Sequence, residues 1–220
     1  MKNVQIILVY FFSEYINLYK EFMIVIDEHT LDENLIDKDG WILDLGSLNF
    51  NFACRVNQYC KNILSFDPNP VIKYYPNKIK FYNKAVTSDY SGIKEFFIYK
   101  NDTSASFYDT NKHDTVREIV FVHCISIPDI MKQFNIKQFE LIKIDIEGSE
   151  YEILQNIDLT ISKQFSIEFH DCYGMNNLGT SWHKNFKQKA EQYFDISTYD
   201  IYDMSKLSDV HLVLKKDYWR

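Results

Sequence analysis

The chain is poor in the residues that mark special scaffolds. Its 220 residues include only 6 glycines, 4 prolines and 4 cysteines, so we expect each glycine to hold a defined turn. The cysteines form no CxxC pair, and no histidine stands at a zinc-finger spacing from them; they are Cys54, Cys60, Cys124 and Cys172. This pattern argues against a structural zinc site and is typical of reduced thiols in a cytoplasmic protein.

The chain also lacks basic runs and long apolar runs. Lys and Arg total 24 against 31 Asp and Glu, a net charge of −7, and we therefore expect no nucleic-acid partner. The apolar segment 4–12 is shorter than the about 20 residues that a membrane-spanning helix needs, and no signal-peptide cleavage site is evident. We predict no membrane span, an N-terminal packing segment at 1–39 and one domain at 40–220.

Strand and helix patterns alternate from residue 39 onward, without an internal repeat. That alternation predicts an α/β domain with a mostly parallel sheet and helices on both faces. A final hairpin over 195–202 and 210–214 would add an antiparallel strand. The predicted parallel strands lie at 41–45, 62–67, 79–86, 139–147 and 165–170.

The most informative segment is the fourth of these strands and the helix after it. The strand is apolar on one face and ends in two carboxylates, Asp145 and Glu147, on the other. Gly148 permits a turn, and Ser149 with Glu152 has the spacing of a capping box that opens a helix. In an open α/β sheet the carboxyl end of the strands is where ligands bind, so these carboxylates are candidate site residues.

Polar residues also end the first two strands. Asp44, Gly46 and Ser47 follow the first strand, where a glycine lets a ligand approach the backbone. Asp67 follows the second strand, where a carboxylate can accept hydrogen bonds from ribose hydroxyls. Each group also fits a plain turn that needs no ligand, and both interpretations stay open. Lys143, inside a central strand, is expected to pair with Asp145 or a neighbouring strand, with substrate contact as the alternative.

Glu168 and His170 lie two residues apart on the fifth strand and therefore face the same way. If the fourth and fifth strands are neighbours, they join Asp145 and Glu147 at one sheet edge. This group suits proton abstraction from a hydroxyl by a histidine whose pKa lies near the working pH, or the binding of a divalent cation. A strand-end histidine with no ligand is the third interpretation. The remaining histidines have no comparable neighbours in the sequence and are expected to be structural or exposed: His29, His113, His123, His183 and His211.

Residues 141–154, LIKIDIEGSEYEIL, resemble the signature of the FkbM-type S-adenosylmethionine-dependent methyltransferases. The resemblance extends from about residue 40 to the C-terminus, and it implies a class I methyltransferase (Rossmann-like) fold with S-adenosyl-L-methionine as cofactor. It also implies a transferase that O-methylates a hydroxyl of a sugar, glycan or other small metabolite. The implied cofactor-binding residues are Asp44, Gly46, Ser47, Asp67, Ala85 and Asp145. The candidate catalytic residues are His170 as base with Glu168, and Asp145 and Glu147 beside the methyl donor or acceptor.

The sequence departs from the family pattern at one position. Asp44 and Gly46 match an Asp-x-Gly-x-x-x-Gly pattern, but Phe50 stands where the second glycine is expected. Phe50 therefore motivates an alternative function, a methyltransferase-shaped binding or scaffold protein without turnover. A nicotinamide-dependent oxidoreductase is disfavoured because no GxGxxG follows the first strand. A divalent cation is left unassigned, as is the oligomeric state.

Overall fold

The computed structural model describes residues 23–69, 76–100, 105–107, 116–170, 179–199 and 208–220. The predicted packing of residues 4–12 and the histidine His113 lie outside these residues. The helices are α1 (Asn51–Val56), α2 (Ile127–Phe134), α3 (Glu150–Asn156) and α4 (Gly179–Glu191). The strands are β1 (Met23–Ile26), β2 (His29–Asp32), β3 (Trp41–Leu45), β4 (Asn62–Phe66), β5 (Lys80–Tyr82), β6 (Ala85–Thr87), β7 (Gly92–Tyr99), β8 (Ala105–Ser106), β9 (Val116–Ser126), β10 (Leu141–Ile144), β11 (Gln164–Phe169), β12 (Phe194–Tyr199) and β13 (Ser208–Leu214).

The main sheet has seven strands in the order β12-β13-β11-β10-β3-β4-β5. The five strands from β11 to β5 are parallel, and β13 runs antiparallel between β11 and β12. The predicted α/β class, the class I methyltransferase architecture and the antiparallel C-terminal strand are therefore confirmed. Because β10 pairs with both β3 and β11, the carboxyl ends of three strands meet at one edge.

Both faces of the parallel strands are buried, which explains their nearly continuous apolar sequences. Alternate residues contribute to different cores. Leu43 and Ile142 belong to the cluster that includes residues of α2, α3 and α4, whereas Ile42 and Leu141 pack with α1 and the β1–β2 hairpin. Among the described residues, no helix has the length and apolar character needed to cross a membrane.

The third predicted strand, 79–86, is wrong as a single element. It is two strands, β5 in the main sheet and β6 in a second sheet of order β6-β9-β7-β8. The break falls at Asn83 and Lys84, where the Lys84 N–H donates to the carbonyl of Tyr82 at 2.8 Å. The Asn83 side chain donates to the carbonyls of Asp67 and Asn69 at 3.0 and 3.1 Å. These bonds turn the chain away from the main sheet.

One buried side chain, that of Gln164, makes two of the hydrogen bonds that join the hairpin of β1 and β2 to the main sheet. The Gln164 amide at the start of β11 accepts from the Asp32 N–H at 2.8 Å and donates to the Asp32 carbonyl at 3.1 Å. His211 of β13 lies 3.1 Å from the same amide oxygen, and burial lowers the pKa of His211 to about 4. The Gln164 side chain therefore pairs with polar groups of two other elements, β2 and β13, at buried positions.

We predict that Gln164→Ala destabilises the protein by about 1–3 kcal/mol for each backbone group it leaves buried and unpaired. Urea unfolding measures the change in the free energy of unfolding. The matched control is Gln133→Ala on the exposed surface of α2, which should shift stability by less than about 0.5 kcal/mol. Equal effects of the two substitutions would show that Gln164 does not hold the hairpin.

Candidate active site

A cleft with a volume of about 190 Å³ opens at the carboxyl end of the parallel strands. Loops after β3, β4 and β10 form its floor, and the second sheet contributes Phe96, Ala105 and Phe107 to its wall. Most of the predicted cofactor and acceptor residues line it: Asp44, Gly46, Ser47, Asp67, Ala85, Asp145 and Glu147. The cleft therefore combines charged groups on strand ends with an aromatic wall, as small-molecule sites commonly do.

The loop after β3 contacts the loop after β10 at Gly46. Gly46 has a φ of 85°, and its N–H donates to the Phe66 carbonyl at 2.9 Å. A Cβ atom at this position would lie 1.7 Å from the carbonyl oxygen of Asp145. Only glycine permits this approach, because a side chain would collide with backbone. Ser47 fixes the same turn, since its hydroxyl donates to the carbonyls of Asp44 and Phe66 at 3.3 Å each.

Lys143 is buried inside β10 and balances the carboxylates around it. Its ammonium nitrogen lies 3.1 Å from Asp145 and 3.7 Å from Asp44, and donates to the Gly46 carbonyl at 2.7 Å. Burial opposes the charge, but Asp145 and Asp44 outweigh it and raise the pKa of Lys143 above its ordinary value. The predicted pairing of Lys143 with Asp145 is confirmed.

The backbone conformation at Phe50 explains why a glycine is usual there. Phe50 precedes α1 with a φ of 58°, in the left-handed region that glycine adopts at little cost. Its ring is buried, and its centroid lies 5.0 Å from that of Phe81 in an edge-to-face arrangement. Phe50 also lines the cleft. Burial of the ring offsets the conformational strain, so this position is part of the core as well as of the cleft.

Asp67 ends β4 with a buried carboxylate that faces the cleft. One of its oxygens accepts from the Asn69 N–H at 2.8 Å, which is the turn that the sequence also allowed. Burial raises the pKa of Asp67 to about 6, against the opposing effects of Asn69 and Lys143. The carboxylate is therefore largely ionised at neutral pH and can accept further hydrogen bonds from a ligand.

The predicted convergence of four residues on one sheet edge is present in the structure. Nε2 of His170 lies 3.7 Å from an oxygen of Asp145, 3.7 Å from Glu147 and 3.8 Å from Glu168. Nδ1 of His170 lies 3.0 Å from Oε1 of Glu150. Burial opposes protonation, but the hydrogen bond to Glu150 and the surrounding carboxylates raise the pKa of His170 to about 10. The expectation of a pKa near neutrality is wrong, because four carboxylates surround one imidazole.

Two site residues were missed by sequence reasoning. The first, His29, was expected to be structural or exposed, yet its Nε2 lies 3.9 Å from Asp145 and its Nδ1 lies 3.2 Å from the Ser166 hydroxyl. It comes from the N-terminal hairpin, so no spacing along the chain connects it to the strand ends. The second is Glu150, the first residue of α3, which is fully buried. Its position on the same helix face as Ile153 and Leu154 was a signal that could have revealed it.

The capping box predicted for Ser149 and Glu152 is wrong. Ser149 does precede α3, but its side chain makes no capping hydrogen bond. The carboxylate of Glu150 instead accepts from the N–H groups of Ile146 and Gly148 at 3.0–3.1 Å. The local spacing was correct for a capping box, but two backbone N–H groups of the preceding loop point toward the buried Glu150 carboxylate.

His29, Asp145 and Glu168 present ligand atoms within 4.8 Å of one another, the spacing of a shared cation. The ammonium of Lys143 already lies 3.1 Å from Asp145, and Lys143, His29 and His170 hold the pKa of Asp145 well below its usual range despite burial. The protein itself therefore supplies positive charge to this carboxylate, and we assign no metal ligands here.

Two buried polar atoms beside the cleft suggest a polar ligand. Oδ1 of Asp44 and the hydroxyl of Ser149 accept or donate no hydrogen bond among the described residues, and both residues line the cleft. Oδ2 of Asp44 is satisfied by the Ser65 hydroxyl at 3.0 Å. Buried polar atoms normally have partners, so these two fit a ligand rich in donors and acceptors, as the amino-acid and nucleoside parts of S-adenosylmethionine are.

The family comparison agrees with this geometry. The model of the methyltransferase FkbM domain matches residues 44–200, which is most of the chain. The chain therefore belongs to the FkbM methyltransferase family and is an S-adenosylmethionine-dependent methyltransferase. The match runs from the end of β3 to the end of β12, and it includes nearly all residues that line the cleft and all four predicted catalytic residues. None of the curated proteins matches the chain.

Solved structures show distant likenesses. A protein from Streptococcus mutans assigned as a methyltransferase, in complex with SAH, has a TM-score of 0.40 and 9% identity over 83% of this chain and 91% of its own. The fibrillarin pre-rRNA processing protein of Methanococcus jannaschii has a TM-score of 0.46 and 13% identity over 87% and 81%. A protein of Listeria monocytogenes assigned as an S-adenosylmethionine-dependent methyltransferase has a TM-score of 0.40 and 11% identity over 84% and 96%. The family rests on the domain match and not on these likenesses.

We predict that Phe50→Gly lowers stability. Releasing the left-handed strain gains about 1–3 kcal/mol, whereas removing a buried phenylalanine side chain costs about 3–5 kcal/mol. Urea unfolding measures the balance. Asn135→Gly is the matched control, because Asn135 also has a positive φ, 54°, but an exposed side chain, and this change should be neutral or stabilising.

The same variant separates the two functions considered for Phe50. If Phe50→Gly strengthens S-adenosylmethionine binding, the Phe50 ring obstructs the cleft, and this result would favour a scaffold protein without turnover. If cofactor affinity stays unchanged and the wild type already binds tightly, the ring is only a core residue.

Proposed function

We propose that the protein transfers the methyl group of S-adenosylmethionine to a hydroxyl oxygen of a sugar, glycan or other small hydroxylated metabolite. The observation that carries the proposal is the group of Asp145, Glu147, Glu168 and His170 beside the cleft at the carboxyl end of the parallel strands. Partly exposed carboxylates are suitable acceptors for hydroxyl hydrogens, and a base is what a neutral hydroxyl needs before it can attack a methyl group.

Residues of the first two loops would hold the cofactor. Asp67 has one carboxylate oxygen free of the Asn69 contact and faces the cleft, where it can accept from ribose hydroxyls. Gly46 brings the backbone of its loop close to the ligand, and Ala85 leaves room at the start of β6. Asp44 has a carboxylate oxygen available for the amino-acid part. When bound, S-adenosylmethionine supplies a methyl group activated by its sulfonium.

The acceptor end of the cleft would orient one hydroxyl and take its proton. Glu147 lines the cleft with a side chain that is 25% exposed, and it is our candidate for the proton acceptor. The overall reaction forms an oxygen–methyl bond, breaks the sulfur–methyl bond and leaves a neutral thioether, and the hydroxyl proton passes to the carboxylate and then to water. His170, protonated at neutral pH, would donate hydrogen bonds and stabilise the neighbouring negative charges. His170 therefore takes a different role from the base that the sequence suggested, and Glu168, which the sequence paired with it, lies 3.8 Å from its Nε2.

The alternatives have separate consequences. A scaffold without turnover would bind cofactor and release no S-adenosylhomocysteine with any acceptor. A divalent cation was one interpretation that the sequence left open and unassigned, and the charge supplied by Lys143 and His170 gives no reason to require it. Activity that survives EDTA would agree with the proposal. Loss of activity in EDTA and its restoration by magnesium would instead support a cation-dependent enzyme.

We predict that Asp67→Ala weakens S-adenosylmethionine binding at least tenfold, because hydrogen bonds to a charged group are worth about 1.5–3 kcal/mol. The pKa of about 6 adds a pH dependence. As the pH falls through about 6, the carboxylate gains a proton and the wild-type affinity should fall, while above that pH it should stay constant. Titration calorimetry between pH 5 and 8 measures both effects. Asp89→Ala, at an exposed position, is the control, and equal affinities of wild type and Asp67→Ala would remove Asp67 from the site.

We predict that Glu147→Gln lowers kcat by about 10²–10⁴-fold and leaves cofactor affinity within about threefold, because general-base catalysis contributes that much. Release of S-adenosylhomocysteine with a panel of monosaccharides and small glycosides measures turnover. Glu95→Gln, on the exposed face of β7, is the control. Full activity of Glu147→Gln would exclude Glu147 as the proton acceptor, and absence of turnover by the wild type with every acceptor would favour the scaffold.

A further inference from the structure

The carboxylate of Glu150 is fully buried at the start of α3, a place where a charge is stable only if it is paired and hydrogen-bonded. It is not among the residues that line the cleft. Its first set of partners is in the loop between β10 and α3. Oε1 accepts from the Ile146 N–H at 3.0 Å, and the Gly148 N–H lies 3.1 and 3.0 Å from the two oxygens.

These two N–H groups stand on either side of Glu147. Glu147 has a φ of 53° and Gly148 a φ of 104°, so the chain adopts positive φ at two successive residues. Such a conformation is costly for glutamate and persists only when surrounding contacts impose it. The Glu150 carboxylate imposes it from inside, and the Ser106 hydroxyl, which donates to the Glu147 carbonyl at 2.6 Å, holds it from the second sheet. The position of the Glu147 side chain at the acceptor end follows from this loop geometry.

The second partner of Glu150 is His170, whose Nδ1 lies 3.0 Å from Oε1. This bond fixes the orientation of the imidazole, and Nε2 is thereby directed at Asp145, Glu147 and Glu168, each 3.7–3.8 Å away. A carboxylate behind a histidine orients the ring and raises its basicity in many sites. One buried side chain thus contacts both the loop that carries Glu147 and the ring that faces it.

We propose that Glu150 is a positioning residue that orients the Glu147 carboxylate and the His170 ring toward each other at the acceptor end of the cleft. The expected effect of Glu150 on catalysis rests on the proposed function. Its effect on the orientation of the Glu147 loop and of the His170 ring does not. The charged groups that face His170 among the described residues are Asp145 and Glu147 of the loop, Glu150 of α3 and Glu168 of β11. Of these four, Glu150 makes the only contact within normal hydrogen-bond distance.

Glu150→Gln tests the proposal because it keeps an acceptor oxygen and the side-chain shape while it removes the charge. Glu152→Gln is the matched control, two residues further along α3, where the carboxylate is 32% exposed and lies 3.6 Å from Lys94. The first measurement is the NMR titration of the ¹⁵N-labelled His170 imidazole in the protein without ligands. In wild type and Glu152→Gln the ring should stay protonated from pH 6 to 9, and in Glu150→Gln its midpoint should fall by at least about one pH unit. Amide exchange of Ile146 and Gly148 should accelerate in Glu150→Gln alone.

The second measurement is turnover with the acceptor that the panel identifies. Glu150→Gln should lower kcat at least tenfold per mole of folded protein and leave the KM for S-adenosylmethionine within about threefold. The folded fraction is measured by circular dichroism, because partial unfolding would also lower the apparent kcat at an unchanged KM. An unchanged His170 titration in a folded Glu150→Gln protein would overturn the positioning role, whatever the activity. A shifted titration together with no turnover by the wild type would leave the geometry intact and reject the proposed function.

Discussion

The buried ammonium of Lys143 is the interaction on which the site depends. It joins the loop after β3, through the Gly46 carbonyl, to the carboxylates of Asp44 and Asp145, so two strand ends share one positive charge. Without that charge, the two carboxylates at the centre of a parallel sheet would have to be protonated or separated. Gly46 approaches the Asp145 carbonyl at the same place. Fold and site are therefore coupled at the centre of the sheet, where β3 and β10 pair.

A second buried cation organises the acceptor side. His170 is surrounded by carboxylates from the β10 loop, α3 and β11, and these raise its pKa to about 10. Its contribution to stability is therefore complete below its unfolded pKa of about 6.5, and it is lost as the pH rises through about 10. In the neutral range both cations stay charged, and the partly exposed carboxylates of Asp145 and Glu147 face the cleft. Such a surface suits a neutral methyl acceptor with many hydrogen-bond donors better than an anionic methyl acceptor.

The sequence predicted the features that depend on the alternation of strands and helices along the chain and on which parallel strands are neighbours. The sheet class, the antiparallel end and the convergence of Asp145 with His170 follow from strand order alone. Contacts between distant segments were not accessible: His29 comes from a hairpin whose docking depends on Gln164. The pKa of His170 depends on charges from several elements, and Glu150 replaced the expected capping box because a buried carboxylate needs more than one donor. Phe50 stands where the family pattern has a glycine. Only the φ angle in the structure showed that phenylalanine is conformationally strained at this position.

A crystal structure with bound S-adenosylhomocysteine tests the central claim, that this cleft holds the methyl donor beside the carboxylates at the ends of β10 and β11. We expect ribose hydroxyls within hydrogen-bond distance of Asp67 and a sulfur atom on the side of the cleft that faces Asp145 and Glu147. A ligand bound elsewhere, or a ring of Phe50 that excludes the nucleoside from the cleft, would contradict it.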